Sequence, residues 1–126
     1  MSYRIRTILG VALALGLMGC RKSESIVLTQ ADHDGEVRVT QGAEVEVVLP
    51  GNPTTGYEWT VAHTDASLLP LVDSSFEPSA ERIGAGGQYR FRFKAVASGE
   101  VHLELIHKRA WEAEVAESFR VTVRIL

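Results

Sequence analysis

The residues able to do acid–base, nucleophilic or metal chemistry are few in this chain, and they are dispersed. Four histidines occur, His33, His63, His102 and His107, and none stands at a zinc-ligand spacing from a second His or Cys. His102 falls on the polar side of an alternating run, and His33 lies among Ala31, Asp32 and Asp34 in a turn, so both read as solvent-facing. The single cysteine, Cys20, ends an apolar leader and is spoken for there, which leaves no thiol for nucleophilic work. No serine sits in a Gly-x-Ser-x-Gly pattern. Gly84, Gly86 and Gly87 precede a strand pattern rather than a helix, so they cannot present phosphate to a helix N-terminus. The carboxylates are scattered over strand-surface positions. No catalytic constellation emerges, and the expectation is a protein that is not an enzyme and uses no metal or cofactor.

Three short segments instead carry residue types suited to binding. Asn52, Pro53, Thr54, Thr55 and Gly56 combine a fixed φ at Pro53 with a free φ at Gly56, and two small hydroxyl residues lie between. The combination reads as a rigid, thin loop with an extended tip, able to enter a narrow groove at little ordering cost. On composition alone it also fits an ordinary turn. Gly84-Ala85-Gly86-Gly87 offers bare backbone for close approach to a partner, or simply a mobile connection. Lys108-Arg109-Ala110-Trp111-Glu112 sets a Trp beside an Arg, the residue types enriched at interface hot spots; the alternative is a Trp111 folded back over the core edge.

The elements that must position these segments are strands. Apolar residues alternate with polar ones at period two, and turn residues separate the runs. Tyr89, Phe91, Phe93 and Ala95 alternate with Arg90, Arg92 and Lys94; Val101, Leu103 and Leu105 with His102 and Glu104; Phe119, Val121, Val123 and Ile125 with Arg120, Thr122 and Arg124. Tyr57, Trp59 and Val61 share a phase, which assigns Trp59 to the core. The pattern predicts strands over 26–30 with 36–40, then 43–49, 57–63, 74–81, 88–96, 100–107 and 115–126. Seven or eight short strands with one buried face point to an all-β fold, an immunoglobulin-like antiparallel β-sandwich. Successive strands in an up-and-down arrangement alternate direction. The connections at 50–56, 82–87 and 108–114 therefore fall at one end of the sandwich.

Composition agrees with one globular domain. The chain has 126 residues, 45% hydrophobic and 23% charged, with a formal net charge of −3. No basic run occurs, so nucleic acid is not an expected partner. The first residues read as a secretory leader: Arg4 and Arg6, then an apolar run from Ile8 to Met18, then Leu17-Met18-Gly19-Cys20. Those last four residues look like a lipobox, in which the Cys20 thiol accepts a diacylglycerol and becomes the new N-terminus. The expected organisation is a lipoprotein signal peptide over 1–19, lipidated Cys20 with a short tether to 25, and a β-sandwich domain over 26–126. Removing residues 1–19 takes away Arg4 and Arg6 and lowers the formal net charge from −3 to −5. The leader predicts a lipid-anchored protein of a bacterial cell envelope, and Arg21 after the cysteine favours the outer membrane.

Taken together, the three segments resemble a known family. Asn52-Pro53-Thr54-Thr55-Gly56-Tyr57-Glu58-Trp59 looks like the signature loop of the chagasin-type inhibitors of papain-family cysteine peptidases. Gly84 to Gly87 resembles their glycine-rich second loop, and Arg109-Ala110-Trp111 is similar to their third motif, Arg-Pro-Trp. The order of all three agrees, over about residues 26–126. Two departures stand out: Ala110 replaces the usual Pro, and His107 replaces a common Tyr. The resemblance implies reversible, non-covalent inhibition of a papain-like cysteine peptidase, and a monomer is the default expectation for a rigid plug. Asn52, Pro53, Thr54, Thr55, Gly56 and Tyr57 would lie across the catalytic Cys–His pair. Gly84, Gly86 and Gly87 would run along one side of the cleft. Trp111 would pack on the other side, with Arg109 supporting its loop or reaching an acidic group. The reading from another class is a surface-anchored immunoglobulin-like adhesion or assembly module of the cell envelope.

Overall fold

The computed structural model describes residues 24–80 and 84–126. Its eight strands are β1 Ser25–Leu28, β2 Gly35–Val39, β3 Glu44–Gly51, β4 Tyr57–His63, β5 Leu71–Pro78, β6 Gly87–Lys94, β7 Gly99–Arg109 and β8 Glu117–Ile125. They form two four-stranded sheets, ordered β1-β3-β6-β5 and β2-β8-β7-β4. The inward residues of both sheets interdigitate in one core. Val45, Val47, Leu49, Phe91 and Phe93 come from the first sheet, and Trp59, Val101, Leu103, Leu105, Phe119, Val121 and Val123 from the second. The period-two pattern produces this directly, because alternate residues of a strand point to opposite faces. No polar or charged residue is buried among the described residues. The outward arginines of β6 instead pair across the surface, Arg90 with Glu46 (3.0 Å) and Arg92 with Asp73 (3.1 Å).

Three features differ from the sequence expectation. The first strand is two strands in two sheets. A 3₁₀ turn at Gln30–Asp32 separates them, its start fixed by a capping box in which Thr29 and Asp32 each satisfy the other's backbone N–H. The sheets are also not wholly antiparallel: β1 pairs with β3, and β2 with β8, in parallel. The remaining four pairs are antiparallel. Boundaries shift too. β5 starts at Leu71 rather than 74, because this edge strand is exposed along most of its length and lacks a clean alternation. β7 runs to Arg109, and β8 begins only at Glu117.

The extra strand precedes all three loops, so their relative parity survives. The connections β3–β4, β5–β6 and β7–β8 share one end of the sandwich. The turn between β1 and β2 reaches that end as well, where Gln30 Nε2 donates to Glu117 Oε2 at 2.8 Å. Among the described residues no helix is long and apolar enough to cross a membrane. The leader and lipidation assignments, Cys20 included, fall on residues outside those described.

Candidate functional site

The first loop is built around Asn52. Its side chain caps a 3₁₀ turn at Pro53–Thr55, with Oδ1 accepting from the Thr54 backbone N–H (3.1 Å) and from the Thr54 hydroxyl (2.6 Å). Asn at the cap followed by Pro in the first turn is a sequence signal for a helical start. The tip is therefore a turn and not the extended segment expected, because Asn52 holds the chain back on itself. The Asn52 carbonyl accepts both Thr55 N–H (3.2 Å) and Thr55 Oγ1 (2.7 Å), and the Pro53 carbonyl accepts Gly56 N–H (3.0 Å). Gly56 then ends the turn at φ +88°, a left-handed conformation that side chains with a Cβ resist.

Two side chains join the loops into one block. Asn52 Nδ2 donates to the Gly84 carbonyl at 2.9 Å and so ties the first loop to the second. The second loop is closed at its base by Ser79, whose N–H and hydroxyl both donate to the Gly86 carbonyl (2.9 and 2.8 Å). Arg109, at the end of β7, donates through Nε to the Thr55 carbonyl at 3.2 Å. Its guanidinium lies 4.4 Å from the centre of the Tyr57 ring, a cation–π contact. The same guanidinium meets Glu112 Oε2 at 3.4 Å, while the Glu112 N–H donates to the Arg109 carbonyl at 3.1 Å. This tight turn closes the third loop although Ala110 lacks proline's fixed φ.

Trp111 completes the block. A Cβ added at Gly56 would come within 2.6 Å of Trp111 Cη2, so the indole rests on the bare backbone of the first loop. The ring is nevertheless 72% exposed, which excludes its folding back over the core. An exposed Trp held at one edge on a glycine has the composition and placement of an interface hot spot. Thr54, Thr55, Gly84 and Ala110 are exposed as well. Among the described residues no three His, Cys, Asp or Glu side chains converge as a metal site would need.

The expected site residues divide by role. Thr54, Thr55, Gly84 and Trp111 are exposed at the loop end. Asn52, Gly56 and Arg109 brace those residues. Tyr57 is half-buried under Arg109 and supports the block from below. Gly86 keeps its backbone close to the Gly51 carbonyl, where an added Cβ would sit at 3.4 Å. Gly87 belongs to the sheet: a Cβ there would fall 2.2 Å from the Glu77 carbonyl oxygen. Trp59 is core, as its phase predicts, and its Nε1–H reaches the Pro50 carbonyl at 3.0 Å across the two sheets. The pairing of Glu112 with Arg109 is not foreseen from the sequence, while His107, the departure from the usual Tyr, stacks on Trp59 at 4.7 Å. The Arg–x–x–Glu spacing was the one available hint.

Comparison with known proteins agrees with this geometry. Residues 38–123 match the family described as chagasin family peptidase inhibitor I42. Chagasin of Trypanosoma cruzi is 32% identical over 101 residues, covering 76% of this chain and 92% of that protein. The crystal structure of the cysteine protease inhibitor EhICP2 from Entamoeba histolytica superposes with a TM-score of 0.76 at 19% identity, covering 84% of this chain and 99% of that one. PbICP-C, solved in complex with falcipain-2, superposes with a TM-score of 0.56 at 13% identity over 86% of this chain and 96% of that one. These two structural likenesses show the shared fold, while the first two matches show descent. The chain thus belongs to the chagasin family of peptidase inhibitors, whose members are inhibitors and not enzymes.

Proposed function

We propose that this protein is a reversible, non-covalent inhibitor of papain-family cysteine peptidases, and that the braced block of three loops fills the active-site cleft. The observation that carries the proposal is the rigid coupling of the loops. Asn52 links the first to the second, Arg109 links the third to the first, and the exposed Trp111 rests on Gly56. A pre-ordered three-point wedge loses little entropy on docking. Thr54 and Thr55 enter the cleft beside the peptidase nucleophile, the segment Gly84–Gly87 lies along one wall, and Trp111 packs on the other. Cleavage is resisted because the first loop is a turn, and because the carbonyls of Asn52, Pro53 and Thr55 are all engaged within the inhibitor. Attack by the peptidase thiolate needs an accessible carbonyl in an extended segment.

The test is a variant series on a fluorogenic papain assay. Thr54→Glu with Thr55→Glu, and separately Trp111→Ala, should each raise Ki at least tenfold in a protein that stays folded. Loss of the exposed Trp111 side chain should leave the melting temperature unchanged, whereas the threonine pair gives up its hydroxyl bonds to Asn52 and should melt a few degrees lower. Unchanged Ki values in folded variants would refute the wedge. Anchoring through a lipid on Cys20, at the outer membrane of a bacterial cell, is the matching proposal for location. It is supported by the Leu17–Cys20 lipobox and Arg21, and is checked by metabolic labelling with a radioactive fatty acid, which a Cys20→Ala chain should not incorporate.

A further inference from the structure

His107 sits where the third loop leaves the core. It faces inward in line with Leu105, and its ring stacks on Trp59 at 4.7 Å with only 10° between the planes. The Tyr57 ring lies 5.5 Å from the same imidazole, Arg109 covers Tyr57 at 4.4 Å, and Trp111 lies 5.9 Å from that guanidinium. The result is a continuous ladder from buried Trp59, through His107, Tyr57 and Arg109, to exposed Trp111. The backbone carbonyl of His107 also accepts the Ala116 N–H at 2.9 Å and so closes the far side of the loop.

The imidazole's surroundings suit one protonation state. Its Nε2 is buried and has no hydrogen-bond partner among the described residues. In the neutral ring this nitrogen can be the bare acceptor. In the cation it becomes an N–H donor with nothing to receive it, in a mostly apolar site. The charged and titratable groups around it are few. From β8, Glu117 Oε1 stands 3.9 Å from Nδ1, beyond hydrogen-bond length, while its Oε2 is occupied by Gln30. From β4 come Tyr57 and the uncharged Trp59. From β7 itself comes Arg109, two residues on and facing the same way, its charge shared with Glu112. Glu58 and Lys108, opposite each other in register, alternate onto the outer face. Burial holds the His107 imidazole below its ordinary range and outweighs the pull of Glu117 in the other direction.

We propose that neutral His107 is the positioning residue for the Arg109–Trp111 loop, and that its protonation releases the loop and weakens inhibition in acid. The binding half of this inference rests on the peptidase-inhibitor reading; the loop half does not. The closed loop takes up a proton less readily than an open one in which the ring meets water. Acid therefore favours the open form as pH falls below about 6.5, the ordinary imidazole value.

Two measurements on the purified protein test it. In the first, the His107 ring protons, the Arg109 Nε–H and the Trp111 indole N–H are followed by NMR from pH 8 to 4.5. The expected result is a His107 midpoint below 6.5, with the Arg109 and Trp111 signals moving on the same curve. A midpoint at or above 6.5, or a titration that leaves both loop signals still, overturns the proposal. In the second, the Ki of the natural protein is divided by that of His107→Tyr against one peptidase, so that the enzyme's own titration cancels. The Tyr ring stays neutral across this range, and the ratio should rise at least about threefold between pH 7.5 and 5.0, with a ceiling of about tenfold per pH unit for one proton. A flat ratio overturns the binding half. Absence of inhibition by either protein at pH 7.5 overturns the peptidase reading, and the spectra then decide the loop release alone. A His107→Tyr protein that fails to fold is replaced by His107→Phe, which is also uncharged and stackable.

Discussion

Replacing Gly56 with alanine separates what this residue does for the fold from what it does for the inhibitory surface. Two costs are built into the position. The backbone lies at φ +88°, where a residue with a Cβ loses about 1 kcal/mol relative to glycine. The new methyl would also stand 2.6 Å from Trp111 Cη2. That clash is relieved at small cost in stability, because Trp111 is 72% exposed and can swing outward. The backbone term should lower the melting temperature by about 4–8 °C for a domain of this size, whether or not Trp111 is present. Inhibition should respond differently. Displacing a hot-spot Trp costs about 2 kcal/mol of binding, or about 30-fold in Ki. A double-mutant cycle of Gly56→Ala and Trp111→Ala makes the distinction. Thermal melts should give additive effects, whereas fluorogenic inhibition assays should show that Gly56→Ala adds little once Trp111 is gone. Additive losses in Ki, or a Gly56→Ala protein that inhibits like the parent, would refute the claim that Gly56 exists to seat the indole.

Two further outcomes follow from the braces. Asn52→Ala removes the cap of the Pro53–Thr55 turn and the bond to Gly84 together; it should lower stability by about 1 kcal/mol and speed amide exchange at Thr54, read by hydrogen-exchange mass spectrometry. Arg109→Lys keeps the charge but loses the Nε–H that reaches the Thr55 carbonyl and the planar stack on Tyr57; Ki should rise about tenfold with little change in melting temperature.

Much of the fold could be read from alternation. Tyr89, Phe91 and Phe93 announced an inward face, and Trp59 declared itself core through its phase with Tyr57 and Val61. The placement of three loops at one end followed from strand parity, which survived the splitting of the first strand because that change came before all three. The parallel pairing of β1 with β3 and of β2 with β8 was hidden, since the side-chain period of a strand says which face is buried but not which strand lies beside it. The exposed edge strand β5 begins three residues before the alternation indicates, because it has no buried face to mark its start. At the site, residue types marked Trp111 and Asn52, but not their contacts. The bond from Arg109 to the Thr55 carbonyl joins positions 54 residues apart, and only the assembled sandwich brings them together. The 3₁₀ turn is legible in principle from Asn52-Pro53, a capping residue followed by a first-turn proline.

The central claim is that the loop block occludes a papain-like active site without being consumed. It is tested most directly by titrating papain of known active-site concentration with the purified domain, diluting the mixture, and weighing the inhibitor by mass spectrometry. The account predicts a one-to-one endpoint, return of activity on dilution and an uncut chain. Full activity in the presence of micromolar folded protein, or a chain cleaved between Asn52 and Gly56, would contradict it.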